Sequence, residues 1–163
     1  GGGSLYELGT AVEVQLFFDC LDAYIVRKLP INNWQVLMDR FYKRYLRQEE
    51  LDEATQKMTE VSELFKQLPA QSIDWTGFQT TAIKTKMNYN GTTLDEVFKA
   101  YFEGFTHCAE SAKLNNEAFK EYTNYQYEPV RLIVADQPWF MVEKNRPLSE
   151  YDNLEGKPFW LIS

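Results

Sequence analysis

The chain is poor in the groups that usually carry chemistry: among 163 residues there is one histidine, His107, and there are two cysteines, Cys20 and Cys108. Three or four clustered His, Cys or carboxylate ligands at short spacing define most metal centres, and nothing of that kind is written here. The cysteines stand far apart, match no redox motif and follow no charged-then-apolar leader, which points to a reducing, cytoplasmic setting with both thiols in the core. No apolar run approaches the roughly 18 residues a membrane span requires, since Glu13, Asp19 and Asp22 interrupt the greasiest stretch. There is no Gly-x-Gly-x-x-Gly, no phosphate-cradling Gly-x-x-x-x-Gly-Lys-Ser/Thr and no Gly-x-Ser-x-Gly, so nucleotide-binding and esterase chemistry lose support. Positive charge is also short: 17 Lys and Arg against 24 Asp and Glu leave −7, which disfavours a phosphate backbone or an anionic bilayer and favours a cationic partner.

What is present is one domain's worth of chain, able to bury roughly 70% of the surface its unfolded form exposes. Gly1-Gly2-Gly3-Ser4 reads as an appended flexible linker, with residues 5–163 as a single globular domain. No repeat or low-complexity tract interrupts it. Residues 5–29 are apolar on nearly every side and predict a buried helix, although the alternation Val12, Val14, Leu16, Phe18 also suits a strand. Asn32-Asn33 offers a start signal for a helix carrying Trp34, Leu37, Met38, Phe41 and Tyr45, ending near Arg47. Leu51, Ala54, Met58, Val61, Phe65 and Leu68 step by three and four, a narrow seam that predicts an antiparallel helical hairpin with the preceding segment.

Ile83, Thr85, Met87 and Tyr89 alternate with polar residues as in a half-buried strand, and Asn90-Gly91 turns the chain. Thr93 to Glu96 spells a capping box ahead of Leu94, Val97, Phe98, Tyr101, Phe102, Phe105, Cys108, Ala109 and Ala112, one broad apolar helix face. Strand-like runs follow over 130–135, 139–143 and 159–162, the first two as a hairpin. Helices early and strands late predict an α+β fold: N-terminal helices, including the hairpin, and one further amphipathic helix packed with a small, mainly antiparallel sheet.

Glu96, Glu103 and Glu110 recur every seven residues opposite that apolar face, with Glu117 continuing the line if the helix persists, an anionic ridge suited to a basic partner. A solvated helix face has the same pattern. The loop containing Tyr151, Asp152 and Glu155 mixes rings and acids as interfaces do, though such residues also cover cores. His107 lies one turn from Glu103, and a small acid/base or metal-dependent hydrolase would use this pair; a lone surface histidine is the plainer reading. Arg40, Lys43, Arg44 and Arg47 make a cationic face that a nucleic-acid adaptor would use, but its aromatics point to the core and acids follow at once, so internal ion pairing is the stronger expectation. Asp19 and Asp22 mark either a paired-carboxylate site or a helix edge.

Two segments carry a resemblance. Residues 33–58, with the run Leu37-Met38-Asp39-Arg40-Phe41-Tyr42-Lys43-Arg44-Tyr45-Leu46, and the tail over 148–161 resemble bacterial immunity proteins of polymorphic toxin and contact-dependent growth inhibition systems. The resemblance implies a cytoplasmic antidote, without catalysis or cofactor, that binds the C-terminal domain of its cognate toxin and blocks it. Such toxins often act on nucleic acid and are basic, which agrees with the acidic balance. Because immunity families share no common functional residues, Glu96, Glu103, Glu110, Tyr151, Asp152 and Glu155 are interface candidates on charge and composition alone.

Overall fold

The computed structural model describes residues 4–75, 92–122 and 131–134. The segments 83–89, 139–143 and 159–162 and the Asn90-Gly91 turn lie outside them.

Thr10 opens the first helix. Its hydroxyl accepts from the Glu13 N–H at 3.3 Å, while Glu13 Oε2 accepts from the Thr10 N–H at 2.7 Å, a reciprocal capping box that starts α1 at Ala11–Leu21. Gly9 makes this possible with φ +110°, a left-handed conformation, and a Cβ there would strike the Glu13 carboxylate. The helix expected over residues 5–29 is therefore shorter at its front, where residues 4–10 run non-helically. Its rear widens into a π-helical turn, Asp22–Val26, in which the Arg27 N–H reaches back five residues to the Asp22 carbonyl at 3.0 Å. Val14, Leu16, Phe17, Phe18, Cys20 and Leu21 are all buried, which explains the all-round apolarity and rules out the alternating strand.

The second helix is a larger correction. Asn33 Oδ1 accepts from the Gln35 N–H at 3.1 Å, as a start signal should, but the segment is a π-helical turn over Val36–Phe41 that closes with Tyr42 N–H on the Leu37 carbonyl at 2.8 Å. Tyr45–Leu46 is a strand, β1, not the last turn of a helix ending near Arg47. It pairs antiparallel with β2, Leu132–Ile133, placing Tyr45 opposite Ile133 and Leu46 opposite Leu132. The predicted hairpin of two full helices is thus a short helical turn, a strand and the 3-10 turn Gln48–Glu50, leading into α2, Leu51–Phe65.

Leu51, Ala54, Met58, Val61 and Phe65 are buried as the predicted seam, while its last member, Leu68, lies past the end of α2 and is half-buried. After α2 the chain makes a 3-10 turn, Ala70–Ser72, and its neighbours Leu68 and Ala70 exchange backbone bonds with residues 92–94: the Leu94 N–H donates to the Leu68 carbonyl at 2.8 Å and the Ala70 N–H to Thr92 at 2.9 Å. The expected single helix from Thr93 is two: α3, Leu94–Val97, and α4, Lys99–Tyr122, broken at Phe98 (φ −104°, ψ 20°). The Thr93 box does not form. Thr93 Oγ1 donates to Asp95 and Thr92 Oγ1 to Glu96, so both side chains are engaged elsewhere.

Among the described residues, helices with one small antiparallel sheet give an α+β fold. Phe17, 1% exposed, is its centre: the ring stacks on Tyr101 at 5.2 Å and meets Phe65, Phe98 and Phe102 edge-on, tying α1 to α2, to α4 and to the break that precedes α4. A parallel chain of rings, Phe18 to Phe41 to Phe105, joins α1 through the Val36–Phe41 turn to α4. Both edge-on geometries suit the ring quadrupole.

Candidate partner-binding surface

One side of α4 is spent on this core and the other is open. Phe105, Ala109 and Ala112 are buried, Tyr101, Phe102 and Cys108 partly so, while Glu103, Glu110 and Glu117 are exposed along the opposite side. Fourteen residues of helix at 1.5 Å each make that line about 21 Å long. Glu96 is exposed too but precedes the Phe98 break, so helical periodicity does not extend the line to it, and its carboxylate accepts from Thr92. Glu103 pairs loosely with Lys99 at 3.6 Å, both side chains more than half exposed. An open groove of about 360 Å³ beside the line is lined by Phe102, Glu103, Thr106, His107 and Glu110.

The N-terminal arm borders this face. Ser4 Oγ donates to Ser111 Oγ at 2.7 Å, and the Tyr6 ring sits on Gly104 so closely that a Cβ at that position would fall 2.6 Å from Tyr6 Cδ1. Tyr6 also tilts against the His107 ring at 6.4 Å. No feature of residues 5–9 pointed to this packing; Gly104, the one glycine inside the helix, was the available signal. His107 is exposed, and among the described residues no group of three or more His, Cys, Asp or Glu side chains is arranged to hold a metal ion.

The remaining candidates separate. Tyr151, Asp152 and Glu155 lie outside the described residues. The cationic face is internally paired in part, as its sequence predicts: Arg40 Nε meets Glu50 Oε1 at 3.0 Å with both side chains mostly buried, and Lys43 meets Asp39 at 3.4 Å. Arg40, Arg47 and Arg131 also place their guanidinium carbons 5.5 to 5.9 Å from the centre of the buried Tyr45 ring. This pins β1 and β2 by cation–π attraction, and neither strand was read as part of that face. Asp22 pairs with Arg27 at 2.9 Å. Asp19 accepts from Gln15 Nε2 at 2.8 Å, and Gln15 in turn bonds the Tyr42 hydroxyl, a half-buried polar bracket between α1 and the next turn. Burial raises the Asp19 pKa above the ordinary carboxylate value, against the Gln15 bond, and Asp22 adds to the rise.

Both thiols are free. Cys20 is fully buried and its thiol is pushed far up by burial and by Asp19, so it is not nucleophilic; burial raises Cys108 as well. Among the described residues no helix is long and apolar enough to cross a membrane. The chain matches no protein-family model, no curated protein and no solved structure.

Proposed function

We propose that the chain is an immunity-type protein that neutralises a basic toxin domain by stoichiometric binding, with the outer face of α4 as its docking surface. The observation that carries the reading is the exposed line Glu103, Glu110 and Glu117, standing on a helix whose other side is anchored in the core. A rigid support matters because acids presented on a fixed helix need no backbone ordering when a partner arrives. The overall charge of −7 adds long-range attraction, which speeds capture of a basic domain and rejects acidic ones. Occlusion of the toxin's substrate-binding surface then suffices for neutralisation, with no group on this chain taking part in bond making or breaking.

The test is an affinity capture with this protein as bait, read by mass spectrometry at low and raised salt. A basic partner in one-to-one amount, released as salt rises and inhibited in its own activity when bound, supports the proposal. Capture unchanged by replacing Glu103, Glu110 and Glu117 together with Lys rejects the surface; absence of any stoichiometric basic partner rejects the function.

A further inference from the structure

Three lines of residues, each with a seven-residue period, run side by side along α4. Gly104 and Ser111 lie under the arm, covered by Tyr6 and Ser4. Ala100, His107 and Leu114 come next and are exposed, Leu114 to 66%. Glu103, Glu110 and Glu117 form the outer line. The middle and outer lines alternate by three and four residues, the spacing with which one helix receives the side chains of another packed at about 20° to it. The arm adds apolar wall to one edge of the strip, for Leu5 is 74% and Tyr6 38% exposed. Leu114 stands in water beside Glu110 and Glu117, and the exposed Leu5 and Tyr6 border the same strip, so an incoming helix would meet apolar as well as acidic contacts.

We infer that this strip accepts a basic amphipathic α-helix, packed lengthwise along α4 with apolar side chains on the Ala100–His107–Leu114 line and Lys or Arg over the glutamates. The inference rests on the neutralisation reading for the identity of the partner and on α4 and its flanking arm for its shape. The acids select the charge of the incoming helix, and their seven-residue repeat selects its period, since lysines at other spacings drift off the line within two turns. Leu114 and the arm supply contact that salt does not weaken.

The probe is a synthetic helical peptide of about 18 residues, matching the strip over residues 100–117, with leucines and lysines in a three-four repeat. Its control is a scrambled peptide of the same composition and charge. Binding of both is followed by fluorescence anisotropy at about 0.15 M salt. The repeat peptide is expected to bind at least roughly tenfold more tightly than the scrambled one. Leu114→Ser removes that margin at all salt concentrations, and the triple Glu103→Gln, Glu110→Gln, Glu117→Gln variant flattens the salt dependence; Leu114→Ala serves if the serine variant melts early. Equal binding of the two peptides, or a margin that survives both variants, overturns the helix-docking assignment. A toxin domain captured by a protein indifferent to the repeat peptide overturns this inference and leaves neutralisation standing. A preference of the parent protein for the repeat peptide that the Leu114 variant loses, with no toxin captured, does the reverse.

Discussion

Phe17 touches rings from two other helices and from the break at Phe98, so its removal opens a void that no single neighbour can fill. Phe17→Ala is expected to cost about 3–5 kcal/mol in chemical denaturation, near the upper end for core truncations. Arg40 shows a different dependence. Its Nε holds Glu50 while Nη2 is buried with no hydrogen-bond partner, so the side chain already bears a desolvation cost that its ion pair only partly offsets. Asp19 is the residue with a readable pH signature. Burial raises its folded pKa, so the folded state prefers the protonated form; the stability Asp19 contributes is full below the ordinary value near 3.8 and is lost as pH rises through the folded value. Asp19→Asn keeps a side chain that can bond Gln15 and removes the charge. The variant should therefore melt at a higher temperature than the parent at neutral pH, the advantage shrinking towards pH 3; a lower melting temperature at neutral pH would mean that ionised Asp19 is net stabilising.

At the scale of elements, the two Thr-x-x-Glu boxes separate local sequence from local structure. The box at Thr10 forms because Gly9 turns the chain and leaves Glu13 free to bond back. The one at Thr93 does not, because Leu94 and the Thr92 carbonyl are held by residues 68–70, which fixes the approach of the chain and gives both side chains other partners. Thr10→Ala should accordingly cost about 1 kcal/mol, and Thr93→Ala clearly less, when both are measured by urea unfolding. The same contrast explains what the sequence made legible. The α2 seam and the apolar face from Leu94 to Ala112 were readable because burial on one side of a regular helix imposes a 3.6-residue period. Tyr45 was misread because it follows Phe41 by four residues, whereas its true partner is Ile133, far along the chain, and no local pattern encodes that pairing. The π-helical turns shift the register of exposed and buried positions by one residue, so Val36–Phe41 keeps an apolar pattern while losing the length that pattern implied. Of the candidate surface, the Glu103–Glu110–Glu117 line was visible as a repeat, but the Phe98 break that detaches Glu96 and the arm that flanks the groove were not.

Across the described residues, the basic cluster around Arg40 and the acidic line on α4 differ in how far their charges are paired. Basic residues around Arg40 are partly consumed by Glu50 and Asp39 and by the Tyr45 ring, and so serve to fasten β1 and β2 to the helices. Acidic residues on α4 have one loose ion pair, Lys99–Glu103, among the bonds seen there, and are exposed on a helix whose other side is anchored in the core. Changing one face should therefore alter folding and the other should alter association. Replacing Glu103, Glu110 and Glu117 with Gln is expected to change the unfolding free energy by no more than about 0.5 kcal/mol per substitution, as exposed substitutions usually do. It should slow association with a basic partner by tenfold or more at low salt, the steering lost with the charge. Arg40→Ala should do the opposite: stability falls by about 1–3 kcal/mol as Glu50 is left half-buried without its cation, while the association rate holds. Stopped-flow capture and urea titration on the same two variants separate these effects, and a glutamate variant that unfolds early while binding at the parent rate would show that the line is part of the scaffold instead of the docking surface.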